Sequence, residues 1–95
     1  MEIELELEFT ENAFKHGVTE DEIWEIFLNE TIKCVILKYK TYRKDTIYNA
    51  YGITFDGRYL EIGYIKKSSS KYRIIHAMNM KDSSKRRFKK MRRLL

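Results

Sequence analysis

Residues 2–9 read Glu-Ile-Glu-Leu-Glu-Leu-Glu-Phe, a strict alternation of carboxylates with Ile3, Leu5, Leu7 and Phe9. A helix turns 100° per residue and would scatter these apolar side chains around its circumference, whereas a strand collects them on one face. The chain therefore opens with a half-buried strand, and its fold must supply a sheet with a covered face.

After Phe9 the pattern changes. The stretch "TENAFKHG" predicts a short helix stopped by Gly17, with Lys15 and His16 at its carboxyl end, where cations suit the dipole. Thr19 and Glu22 form a capping box for a second helix, and Val18 before the cap can staple onto Ile23. Ile23, Ile26, Phe27 and Glu30 mark its inner stripe, with Trp24 on the flank. From Thr31, "TIKCVILKYK" is rich in β-branched residues and runs into a basic loop from Thr41 to Asp45. "IYNAYGITF" meets "RYLEIGYIKK" across Asp56-Gly57, the dipeptide of a two-residue hairpin turn, and "KYRIIHAMNM" follows across Ser68 to Ser70. "DSSKRRFKKMRRLL" closes as a helix capped by Asp82 or Ser83, with Ser84, Phe88, Met91 and Leu95 on one side. The expectation is an α+β fold of one domain, residues 1–95. An antiparallel sheet of four or five strands stands in the order β-α-α-β-β-β-β-α.

Charge is distributed unevenly. Residues 1–30 hold ten acidic side chains against one lysine, and residues 31–95 hold eighteen Lys and Arg against four Asp and Glu. Eight of the last fifteen residues are Lys or Arg, which suggests a polyanionic partner for the basic part and a basic partner for the acidic part. Cys34 stands alone, so no intramolecular disulfide forms, and with two histidines the chain lacks any zinc-site spacing; no cofactor is expected. The acidic start is unlike a signal peptide and no apolar run reaches the length of a membrane span, so a cytoplasmic protein without membrane contact is expected.

The hairpin turns set a register. A two-residue turn at Asp56-Gly57 places Ile53 opposite Leu60 and Tyr51 opposite Ile62; the serine turn places Ile62 opposite Ile75 and Leu60 opposite Ala77. One face then holds Tyr51, Ile53, Leu60, Ile62, Ile75 and Ala77, a core for helices to cover. The other holds Ala50, Gly52, Glu61, Gly63, Ile74, His76 and Met78, with Glu61 directly opposite His76. A carboxylate beside an imidazole orients its tautomer and suits it to acid–base work near neutral pH. The same two residues also make an ordinary cross-strand ion pair, and His16 an ordinary helix-end charge.

Taken together, "NAFKHGVTEDEIWEIF", "YGITFDGRYLEIGYI" and "RIIHAM" ahead of a basic helix resemble the BrnT-like toxins of bacterial type II toxin–antitoxin systems. The resemblance runs from about Phe9 to Phe88. Its anchors are Asn12 with Lys15-His16-Gly17-Val18, Gly52 with Gly57-Arg58 and Leu60, and Arg73-Ile74-Ile75. His76-Ala77-Met78 stands where the family usually has Ser-Ala-Arg, and the closing helix has Asp82, Ser84 and Lys85 where the family often shows an Arg and a Glu-Arg pair. The chain thus resembles a divergent branch. The resemblance implies a RelE-like fold, ribonuclease activity and an antitoxin partner.

RNA cleavage by attack of its own 2′-hydroxyl needs a base, an acid and cations around the phosphorane-like transition state. Glu61 orienting His76, with Arg58, supplies a candidate catalytic set. Lys15, His16, Arg73, Lys85, Arg86, Arg87, Lys89 and Lys90 are candidates for holding nucleic acid, and Tyr48, Tyr59 and Tyr72 for stacking bases. The expected activity is that of a metal-independent ribonuclease toxin acting on RNA, held by an antitoxin and contacting operator DNA as part of that complex. The alternative is a non-catalytic nucleic-acid-binding or antitoxin-binding subunit that serves as co-repressor.

Overall fold

The computed structural model describes residues 4–28, 35–42 and 45–93. Ile3, Glu30, Thr31 to Cys34, Arg43, Lys44 and Leu95, each assigned a place above, lie outside the described residues. The elements are β1 (Glu6–Phe9), a 3-10 helix (Glu11–Phe14), α1 (Glu20–Leu28), β2 (Val35–Tyr42), β3 (Asp45–Ile53), β4 (Tyr59–Ser68), β5 (Lys71–Asn79) and α2 (Asp82–Arg93). They form an α+β fold around a mixed sheet in the order β1-β5-β4-β3-β2. The stretch expected as a basic loop from Thr41 is partly strand, because Thr41 and Tyr42 pair with Thr46 and Asp45.

The sheet is not fully antiparallel: β1 lies parallel to β5. The chain leaves β1, crosses through α1 to the far edge, and meanders back through β2 to β5, which meets β1 running the same way. Alternation in residues 2–9 specifies which side chains are buried but not which neighbour the strand takes. Charge specifies that. In the parallel register Glu6 partners Lys71 and Glu8 partners Arg73. Arg73 Nε donates to Glu8 Oε1 at 3.0 Å, and Lys71 Nζ lies 3.5 Å from Glu8 Oε2 and 4.0 Å from Glu6 Oε1. Desolvation works to raise the Glu8 pKa, but the hydrogen bonds and charges of Arg73 and Lys71 outweigh it and hold the carboxyl below its ordinary value.

The β3–β4 turn departs from a two-residue loop. Thr54 N–H donates to the Arg58 carbonyl at 2.9 Å and Gly57 N–H to the Thr54 carbonyl at 2.9 Å, so the loop is Phe55-Asp56-Gly57. Gly57 sits at φ 85°, the left-handed residue that three-residue hairpins require. The extra loop residue shifts β3 by one, and a one-residue shift exchanges the faces of a strand. Gly52 consequently partners Leu60, and Tyr51 partners Glu61. Leu60, Ile62 and Ala77 remain in the core, joined by Ala50 and Ile74 rather than by Tyr51, Ile53 and Ile75.

Two helices cover the two faces. Against one, α1 sets Ile23 and Ile26, with Val18, onto Ala50, Leu60, Ile62, Tyr64, Ile74 and Ala77. The capping box forms as expected: Glu22 N–H donates to Thr19 Oγ1 at 3.2 Å and Thr19 N–H to Glu22 Oε1 at 3.0 Å. Ile26 lies so close to Gly52 that a β-carbon there would crowd its Cδ1 at 3.0 Å. Against the other face, α2 buries Phe88 with Tyr51 and Met80, and Ile53, Tyr59 and Met91 pack at the margin. Each fully buried Ile or Leu contributes about 2–3 kcal/mol, so the α1 face dominates stability.

Arg58 fastens the hairpin tip to α1. Its Nη1 lies 2.9 Å from both Glu22 oxygens and its Nε donates to Asn79 Oδ1 at 2.8 Å. The backbone hydrogen bond at Thr19 and, after it, Arg58 hold the Glu22 carboxyl below its ordinary 4.5, against an opposing effect of desolvation. A carboxyl lowered by folding stabilises the fold above its ordinary value and loses that contribution as pH falls through the lowered one. Glu22→Gln should therefore cost about 1 kcal/mol at neutral pH, and the difference from wild type should vanish as pH drops well below 4.5. Urea unfolding across this pH range checks it; a gap that persists at acid pH would place the effect elsewhere.

Candidate active site

The α2-covered face carries the polar residues that the sheet leaves unspent. Along the register, Asn49 partners Gly63 and Gly63 partners His76; one step away, Tyr51 partners Glu61 and Glu61 partners Met78. Glu61 and His76 are thus diagonal neighbours on one face, not directly opposed. Ile75 is the extra residue of a bulge in β5, and Lys67 that of a compensating bulge in β4. Against the simple turn register the pairing near Glu61 moves by two residues, and a two-residue shift keeps every side chain on its face. His76 Nε2 lies 3.6 Å from Glu61 Oε2, within ion-pair range and too long for a hydrogen bond.

Gly63 makes room for the imidazole. A β-carbon at that position would fall inside contact distance of His76 Cε1, Nδ1 and Nε2, so the ring lies directly over the glycine backbone. Beyond it is Asn49, 5% exposed. Asn49 Nδ2 donates to Tyr51 Oη at 3.2 Å, and Arg87 Nη2 of α2 reaches the same oxygen at 3.4 Å. Two atoms of this cluster, Asn49 Oδ1 and His76 Nε2, are buried and make no hydrogen bond among the described residues. Buried polar atoms without partners cost free energy, and they concentrate where a protein does chemistry or binds.

The other sequence candidates lie apart from this pair. Arg58 is engaged by Glu22 and Asn79 on the α1 side, so the structure does not bring it to His76. Arg73 shares the His76 face but is paired with Glu8. Lys15 and His16 are exposed between Ala13 and Val18, whose side chains belong to the α1-side core. Tyr48 and Tyr72 flank Tyr64, with ring centroids 5.6 and 4.6 Å away, and form part of an aromatic row under Phe27. Tyr59 packs edge-on against Phe88, with Lys85 Nζ and Lys89 Nζ 4.4 and 5.3 Å from its ring centre. Such contacts contribute about 0.5–1 kcal/mol each at exposed sites and help seat α2. Arg86 and Lys90 are exposed to solvent.

Asn49, Tyr51 and the contact of Arg87 with Tyr51 did not emerge from the sequence. A lone Asn inside the apolar run "IYNAYGI" was the available signal, and the turn length that turns it toward Gly63 was not. Among the described residues, no three His, Cys, Asp or Glu side chains converge as a metal site. No known family, curated protein or solved structure matches this chain.

The seat over Gly63 has a thermodynamic signature. Gly63→Ala should displace the imidazole and cost about 1–3 kcal/mol by overpacking. In a His76→Ala background the same change should cost far less, since the new methyl then meets open space. A double-mutant cycle by urea unfolding measures this coupling, and additive effects would show that the ring does not occupy that seat.

Proposed function

We propose that this chain is a metal-independent ribonuclease, the toxin component of a type II toxin–antitoxin pair of the BrnT-like kind its sequence resembles, with a RelE-like fold. The observation that carries the reading is the Nε2 of His76, which makes no hydrogen bond among the described residues and is held over Gly63, 3.6 Å from Glu61, on the face that α2 lines with cations. His76 takes the proton of the RNA 2′-hydroxyl as that oxygen bonds to phosphorus. The bond from phosphorus to the 5′-oxygen breaks, and the leaving oxygen takes a proton from water, giving a cyclic phosphate and a 5′-hydroxyl. Glu61 orients the imidazole. Arg87 and the Tyr51 hydroxyl supply positive charge and a hydrogen-bond donor to the phosphorane oxygens, the contribution that dominates in phosphoryl chemistry. Lys85, Arg86, Lys89 and Lys90 hold flanking phosphates, an antitoxin occludes the face, and the complex contacts operator DNA.

The burial of His76 Nε2 favours a second reading, a non-catalytic nucleic-acid-binding or antitoxin-binding co-repressor, in which α2 binds phosphates and the polar cluster only stiffens the sheet. Purified protein incubated with single-stranded RNA in EDTA separates the two. Under the first reading, cleavage persists and His76→Ala lowers it by on the order of 10²–10⁴, with circular dichroism unchanged. Equal rates in the two proteins would remove His76 from the chemistry. Under either reading, replacing Arg86, Arg87, Lys89 and Lys90 by Ala should flatten the salt dependence of RNA binding, by about 0.7 in log–log slope for each phosphate no longer neutralised. Filter binding at several salt concentrations measures it, and an unchanged slope would make α2 a solubility device.

A further inference from the structure

On the opposite side of the sheet, Asp21, Trp24, Glu25, Leu28 and Phe55 line an open groove of about 410 Å³ between α1 and the tip of the β3–β4 hairpin. Leu28 is 60% exposed and Phe55 72%, the two most exposed large apolar side chains among the described residues. The fold has no need of an aromatic ring at Phe55. The loop geometry demands Gly57, whereas position 55 admits almost any residue. The residue is nevertheless held in place: Phe55 N–H donates to Glu25 Oε1 at 2.8 Å, and the neighbouring Arg58–Glu22 pair ties the same turn to the same helix. The groove is therefore preformed, with both walls fixed to α1, as binding sites that lose little entropy on occupation are.

Its rim is acidic and, among the described residues, uncompensated. Glu6, Glu8 and Glu22 are all paired with Lys or Arg. Among the described residues, exposed Glu20 and Asp21 make no ion pair, and the Glu25 carboxylate is met by the Phe55 backbone rather than by a cation. The chain as a whole carries a net charge of +5, so this acidic apolar patch runs against its overall charge. We infer that the groove docks a short basic segment of a partner protein, a stretch of Lys and Arg carrying one Leu or aromatic anchor that inserts between Trp24, Leu28 and Phe55. Phe88 of a second copy cannot be that anchor, since it is 2% exposed in its own core. The groove lies on the α1 side, away from the His76 cluster, so the inference stands apart from the ribonuclease reading.

Trp24 is the chain's single tryptophan, and its fluorescence reports occupancy of the groove directly. The probe is a synthetic peptide with Leu and Phe set among Lys and Arg; the control has the same apolar residues with every cation replaced by Glu. The basic peptide should shift the Trp24 emission to shorter wavelength and saturate in the micromolar range, weakening as salt rises. Phe55→Ala and Asp21→Lys, both at exposed positions, should each weaken it tenfold or more with circular dichroism unchanged. Binding of the acidic control with similar affinity, or full affinity retained in Phe55→Ala, would overturn the inference. So would an emission shift that appears on concentrating the protein alone and tracks dimer mass by light scattering, since the groove would then belong to a second copy.

Discussion

The left-handed conformation of Gly57, at φ 85°, allocates the side chains of β3 between the two faces of the sheet. Because the loop it closes has three residues, Ala50 and Gly52 turn toward α1, where small side chains let Ile26 approach, and Asn49, Tyr51 and Ile53 turn toward α2. A two-residue loop would bring Ile53 opposite Leu60 and so under Ile26, where even a β-carbon is crowded. The fit of the helix, the burial of Phe88 against Tyr51 and the composition of the polar cluster all follow from one backbone angle that other residues adopt only with strain.

Charge does its work at two ranges. Within contact distance, the acidic residues of β1 meet the basic residues of β5, and this ladder is what makes the parallel edge pairing specific. Part of the contrast between the acidic start and the basic remainder of the chain is spent there and at Arg58–Glu22. What stays unspent is separated by the sheet. Exposed acids sit on α1, and Arg86, Lys89 and Lys90 are exposed on α2 against the opposite face. A polarised surface of this kind steers an anionic ligand toward α2 and a cationic one toward α1.

The candidate site combines a tight fit with incomplete satisfaction. Gly63 gives the imidazole a seat that no other residue would leave open, and Asn49 is held through Tyr51 to Arg87, so the cluster couples the sheet to the basic helix. Yet Asn49 Oδ1 and His76 Nε2 lack hydrogen-bond partners among the described residues. A core selected for stability alone would replace such atoms with apolar ones, which is the physical reason to look for function here.

The sequence by itself determined the local elements and the one-face character of the strands. The alternation to Phe9, the Thr19–Glu22 box and the apolar spacing of Leu60 and Ile62 each express a period or a short-range hydrogen bond, which neighbouring residues suffice to specify. It also placed Glu61 and His76 on a common face, and that survived because the serine turn pairs Ser68 rather than Lys66 with Lys71, a shift of two residues, while the bulges in β4 and β5 cancel each other. Three things needed the tertiary structure. The turn length decided which face Asn49 and Tyr51 occupy, since a single residue reverses a strand and the dipeptide Asp56-Gly57 is compatible with two loop lengths. The neighbour and direction of β1 depended on cations more than sixty residues away. And Arg58, indistinguishable in the sequence from a phosphate ligand, was assigned to Glu22 because long side chains pair with whatever opposite charge the fold brings within 3 Å.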